Sequence, residues 1–199
     1  MTTGDIRDLD RRAVQASVEV VSRSTTDDLR RPTPCAGWTL ADLLAHMTVQ
    51  HYGFAAAAAG RGADLAVWKP RPPSQDPVAD YAAAAECVIA AFAEPGVLER
   101  KFELPEIIPG LKFRAAQAIG FHFIDYVVHG WDVARSLGLP YSLPADLVQA
   151  ALPVAEAVPE GERRLAPGAA FRPGIPVPAD ATALDRILAK LGRSPAWPG

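Results

Sequence analysis

The sequence predicts a mainly α-helical fold: a four-helix bundle with long crossover connections, a short hairpin near residues 101–113 and an irregular C-terminal tail. Three observations predict it. Apolar residues recur at helical spacing through the long segments. An Ala-rich stretch, the best intrinsic helix former, fills one of them. Pro and Gly clusters fall between the segments, where they break regular structure. The chain of 199 residues is expected to form one domain, 1–199, on the usual prior of roughly 100–200 residues per domain.

The first helix, from about Asp5 to Ser24, places Ile6, Leu9, Ala13, Val14, Ala16, Val20 and Val21 near one face. The segment Thr25 to Gly37 is a loop, broken by Pro32, Pro34 and Gly37. Thr39 is an N-cap residue with Asp42 three positions on, a capping-box pattern. It opens a second helix from Leu40 to about Ala59, whose core face carries Leu40, Leu43, Leu44, Met47 and Phe54. Gly60 and Gly62 end it. Pro70, Pro72, Pro73 and Pro77 make the stretch Trp68 to Pro77 a stiff connection.

The Ala-rich third helix runs from about Val78 to Ala93 and stops at Pro95 and Gly96. Lys101 to Leu104 and Leu111 to Phe113 flank a Pro109-Gly110 turn, which reads as two short strands or one extended excursion. A fourth helix spans about Arg114 to Leu137. A fifth spans Pro144 to Val158, with a kink or early end at Pro153. A short helical stretch near Ala181 to Leu191 lies in the Pro- and Gly-rich tail.

Composition excludes several classes. Apolar residues make up 49%, charged residues 22%, and the formal net charge is -3. That balance rules out a disordered chain and gives no basic surface for nucleic acid. Two cysteines, Cys35 and Cys87, cannot build a disulfide framework or a four-cysteine zinc site. The first residues carry alternating charges and no apolar run of signal type, and no segment is long enough to span a bilayer. A cytoplasmic protein, monomeric or homodimeric, is expected.

The chemistry-bearing residues are few. His46 lies beside Leu43, Leu44 and Met47 on the second helix, at the edge of its core face. Asp125 and His129 stand at i and i+4 on the fourth helix, where their Cβ atoms are roughly 5–6 Å apart and can reach one ion. The residues around them are apolar, so an uncompensated carboxylate would be costly. Together the three form a set of two histidines and one carboxylate, which leaves positions for water or substrate as catalytic zinc sites do. The same donors suit iron(II), nickel and copper. An ion pair or a solvated face is the plain alternative for Asp125 and His129.

His122, seven residues before His129, is a reserve ligand or a core residue. His51, about 140° from His46 around the helix, is expected at the surface or in a pocket wall. Asp132 is placed to orient a ligand imidazole or to hold a surface arginine such as Arg135. No base or cation flanks Cys35 in sequence, which predicts an inert buried thiol. Cys87 reads as packing.

The run Pro32-Thr33-Pro34-Cys35-Ala36-Gly37-Trp38-Thr39, followed by Asp42-Leu43-Leu44-Ala45-His46, resembles a motif of the DinB/YfiT-like metal-binding proteins related to mycothiol-dependent maleylpyruvate isomerase. Asp125-Tyr126-Val127-Val128-His129-Gly130-Trp131-Asp132-Val133-Ala134 resembles that family's second metal motif. Gly192-Arg193-Ser194-Pro195-Ala196-Trp197 is similar to its C-terminal signature.

The resemblance implies a four-helix bundle holding a divalent ion, with zinc expected first and nickel or iron as alternatives. His46 and His129 map onto the family's histidine ligands. Asp125 stands where the family commonly has glutamate or histidine, and its shorter side chain leaves room for water or His122. The implied activity is a metal-dependent thiol transferase or isomerase using mycothiol on a small electrophilic substrate, with loops near Cys35 and Trp68 walling the pocket. The implied partners are a small-molecule thiol and that substrate, with no nucleic acid and no membrane. Catalytic and cofactor-binding residues are not assigned. Two other readings stand beside it: a non-catalytic metal-binding module, and a metal-assisted hydrolase with Asp132 or His122 as base.

Overall fold

A computed structural model describes residues 4–69, 75–166 and 169–198. Six helices and one two-stranded sheet follow in order: α1 (Ile6–Val21), α2 (Leu40–Ala58), α3 (Pro77–Ala93), β1 (Lys101–Glu103), β2 (Lys112–Arg114), α4 (Ala115–Leu137), α5 (Ala145–Glu156) and α6 (Ala183–Lys190). Short 3₁₀ turns, among them Thr26–Arg30 and Leu65–Trp68, lie in the connections. The helices pack as a bundle in which α1 lies along α4, α2 lies along α3, and α6 packs on α5. Of the expected stiff connection, Pro70, Pro72 and Pro73 lie outside the described residues; Pro77 is the first residue of α3.

Local chemistry sets the ends that matter for the site. Thr39 caps α2 by accepting from the Asp42 amide at 3.3 Å, and the Asp42 carboxylate accepts from the Thr39 amide at 2.9 Å. A cap of this kind contributes about 1 kcal/mol and fixes where His46 falls on the helix. The Thr33 hydroxyl accepts from the Cys35 amide at 3.1 Å, and the Trp38 amide donates to the Cys35 carbonyl at 2.9 Å. This turn carries Cys35 and Trp38 to the start of α2. Helix α4 ends at Gly138, whose φ of +71° suits a residue without Cβ.

The core has two parts. The larger joins α1, α2, α4, α5 and α6 through residues such as Val14, Leu44, Phe123, Val127, Leu147 and Leu188. The smaller joins the end of α2, α3, the hairpin and the start of α4 through Phe54, Trp68, Phe92, Phe102 and Ile119. Helix α4 passes through both. From His122 to Ala134 every residue except Asp125 is buried, as expected of a helix enclosed on all sides. In the hairpin Phe102 pairs with Phe113, antiparallel. Helix α5 runs past Pro153 and stops at Glu156, two residues before the predicted end.

Trp68 packs so tightly on Gly53 that a Cβ there would lie 2.3 Å from its ring. Its indole N–H donates to the Gly62 carbonyl at 2.8 Å, which holds the ring in place. Gly53→Ala is therefore expected to lower stability by about 1–3 kcal/mol through overpacking, read as a reduced midpoint in urea denaturation.

Candidate metal centre

Helices α2 and α4 bring His46, Asp125 and His129 together. Their donor atoms all lie within 4.8 Å of one another. His129 Nε2 is 3.4 Å from Asp125 Oδ1, and the His46 and His129 rings meet edge to face at 5.3 Å between centroids. Trp38, carried by the turn before α2, lies against His46 at 5.0 Å. The Asp125 side chain is 21% exposed and that of His129 is 4% exposed, so the set opens to solvent on the Asp125 side.

Behind it, the other ring nitrogen of His129 is fixed. Nδ1 lies 2.9 Å from Asp132 Oδ2, which leaves Nε2 facing Asp125 and His46. Asp132 is fully buried and also accepts from Arg193 Nη2 at 3.3 Å and from the Cys35 thiol at 3.3 Å. Asp132 thus holds the imidazole, as one of its two expected roles required, and its arginine is Arg193 rather than Arg135. Cys35 is half-buried, and it has neighbours that the sequence hid: Asp132, His129 and the Arg193 guanidinium. Cys87 is exposed on α3 rather than packed.

The electrostatics differ between the two histidines. Burial, then the neighbouring His129, push His46 down to about 4. Burial also disfavours charge on His129, but the Asp125 carboxylate, the bond to Asp132 and Cys35 outweigh it and hold the ring up at about 10. Asp132 is held below the usual carboxylate range: burial opposes the charge, and Arg193 with His129 overcomes it. Without a metal, His46 is a neutral donor and His129 carries a proton.

The remaining histidines form a separate buried chain. Asp10 on α1 bonds His122 Nδ1 at 2.6 Å, and His122 Nε2 meets His51 Nδ1 at 3.1 Å. His51 is fully buried and stacks on Tyr126 at 4.0 Å. The expectation that His51 lies at the surface is corrected. Helix α2 is buried on both sides, between α3 and α4, so a residue 140° from His46 still faces the interior. His122 is likewise committed to Asp10 and His51 rather than held in reserve for the ion. The two candidates for a hydrolytic base are thus both fully buried: His122 bonded to Asp10 and His51, and Asp132 bonded through Oδ2 to His129, Arg193 and Cys35.

At the rim, Gln50, one turn after His46, donates to Glu106 Oε2 at 2.5 Å. Burial, with Asp125 nearby, raises the Glu106 carboxyl above its usual range against the effect of Gln50. Sequence reasoning missed Glu106, Asp10 and the partnership of Cys35 with Arg193. Only Arg193 had a signal, in the C-terminal motif. Trp68, expected near the pocket, is buried against Gly53 and Phe54 instead. Two surface hollows of about 250 and 260 Å³ are lined elsewhere, the first around Asp10 and Phe92, the second around Tyr141 and Leu184.

No helix among the described residues is long and apolar enough to cross a membrane. Residues 11–134 match the family model described as the mycothiol maleylpyruvate isomerase N-terminal domain. The chain is 32% identical over 184 residues to uncharacterized proteins from two strains of Mycobacterium tuberculosis, covering 92% of this chain and 94% of each relative. The crystal structure of the mycothiol-dependent maleylpyruvate isomerase aligns with a TM-score of 0.57 over 79% of this chain and 69% of that one. At 12% identity, that likeness is one of fold.

Proposed function

The chain belongs to the mycothiol maleylpyruvate isomerase N-terminal domain family, and from that membership we propose that it binds one divalent ion through His46, Asp125 and His129 and acts as a metal-dependent thiol transferase or isomerase. The observation that carries this reading is the convergence of the three donor atoms within 4.8 Å. The donor set fits zinc: two imidazoles and one carboxylate, with His129 fixed from behind by Asp132 as metal-bound histidines usually are. Iron(II) and nickel suit the same donors.

A bound ion would lower the pKa of a coordinated thiol and supply a nucleophile at neutral pH. His46 is already neutral and offers its lone pair without losing a proton. His129 must give up its proton to ligate, and Asp132 keeps the ring oriented while it does. Asp125, on the open side, defines where thiol and substrate enter, and Trp38 walls that entrance beside His46. In this reading Glu106, whose carboxyl accepts from Gln50 and is raised above its usual range, is the further group that accepts or returns a proton. A closed, non-catalytic module is the competing reading, and the partial exposure of Asp125 weighs against it.

Metal analysis of untagged protein, followed by addition of mycothiol to the cobalt(II)-loaded form, tests the proposal. One equivalent of metal and a change in the cobalt visible spectrum on adding the thiol are expected. Absence of stoichiometric binding to zinc, nickel and iron(II) would sink the metal site. Stoichiometric metal with a spectrum indifferent to mycothiol would leave the non-catalytic module standing.

A further inference from the structure

A second set of donors converges beside the first. Cys35, His129 and Asp132 each offer a ligand atom, again all within 4.8 Å of one another. The two sets share His129 through opposite ring nitrogens: Nε2 lies toward Asp125, and Nδ1 toward Asp132. By donor chemistry the second set is the more attractive to zinc, because it adds a soft thiolate to imidazole and carboxylate. Something must decide between them.

The structure places a cation there already. After α6 the chain turns at Gly192 and delivers Arg193, which is 5% exposed. Its Nη2 lies 3.3 Å from Asp132 Oδ2 and 3.5 Å from Cys35 Sγ. Its Nη1 donates to the Leu191 carbonyl at 2.9 Å, and the guanidinium carbon lies 5.5 Å from the centre of the Phe171 ring. The group is therefore held from several sides. A guanidinium cannot be deprotonated in a protein, so its charge stays at every working pH.

We propose that Arg193 is the resident cation of the Cys35–His129–Asp132 set, and that it excludes metal from that set, keeps Cys35 out of the coordination shell and directs the ion to the Nε2 side of His129. Arg193 is thus a positioning residue that acts through Asp132. Its removal uncovers a thiolate-containing metal site, in which Cys35 gives its thiol proton to solvent and its sulfur to the ion. This rests on the reading that His129 ligates through Nε2.

Cobalt(II) titration of the full untagged chain tests it, because cobalt bound to a thiolate gives an intense near-ultraviolet charge-transfer band that nitrogen and oxygen ligands do not. The wild-type protein is expected to bind cobalt without that band, and Cys35→Ser is expected to bind it with the same stoichiometry and likewise without the band. Arg193→Ala should gain the band, and combining it with Cys35→Ser should remove it again. Arg193→Lys, which keeps the charge, should resemble wild type. A thiolate band in the wild-type protein, or cobalt bound to Arg193→Ala without one, would overturn the proposal. Alkylation of Cys35 by iodoacetamide decides even if Arg193→Ala does not fold. With one equivalent of zinc bound, Cys35 is expected to remain open to alkylation, and complete protection of Cys35 by bound zinc overturns the proposal. If wild-type protein bound no cobalt while Arg193→Ala gained the band, the function proposed above would fail with the directing role, and the exclusion of metal from the Cys35–His129–Asp132 set by Arg193 would stand.

Discussion

His129→Ala is expected to weaken zinc binding by more than about 100-fold, since replacing residues that merely support a ligand already costs 10–100-fold. His129 is the one side chain common to both donor sets, and its loss leaves Asp125 as the only donor from α4 in the set that faces solvent. Metal stoichiometry after dialysis against a limiting chelator reads the effect. His51→Ala should separate from it cleanly. His51 bonds His122 rather than the proposed ligands, so zinc stoichiometry should be retained. Stability should fall, because His122 Nε2 loses its partner in the interior at a cost of about 1–3 kcal/mol and the stacked face of Tyr126 is vacated. Urea denaturation of the metal-free proteins measures that loss. A His51→Ala protein that folded normally but held no zinc would count against the assignment of ligands.

The contrast between His129 and His51 also shows what a sequence discloses here. Every long helix was legible, because apolar spacing and caps are local: the Thr39–Asp42 box and the Gly138 stop are written within a few residues. The i, i+4 pair of Asp125 and His129 was legible for the same reason. His51 was misjudged because the angle around α2 fixes direction but not what lies in that direction, and α2 has buried neighbours on more than one side. Cys87 was misjudged in the opposite sense. On α3 the buried side is set by Tyr81, Ala84, Ala85, Val88 and Phe92, a stripe that the many alanines obscure. Arg193 and Asp10 act across 61 and 112 residues of chain, and no periodicity reports a contact of that range.

The unequal charge states of the two proposed histidine ligands lead to the second large expected effect. Two histidines with the ordinary pKa near 6.5 would be neutral above about pH 7.5, and zinc affinity would then stop depending on pH. In this protein His46, held down to about 4, loses no proton on binding above about pH 5. His129, held up at about 10, must lose one at every pH below that. Zinc affinity is therefore expected to rise about tenfold per pH unit from pH 6 to pH 9, with about one proton released per ion. Titration calorimetry at pH 8 in two buffers of different ionisation enthalpy counts that proton. The metal-free fold should show the opposite trend. A folded-state pKa raised above the unfolded value contributes stability that is complete below about pH 6.5 and lost as pH rises through about 10. Zinc stabilises most where the proton is easiest to displace, so its stabilising effect should grow over the range in which the metal-free protein weakens. Proton release near zero at pH 8, or an affinity flat above pH 7, would show that Asp125 and Asp132 do not hold a proton on His129.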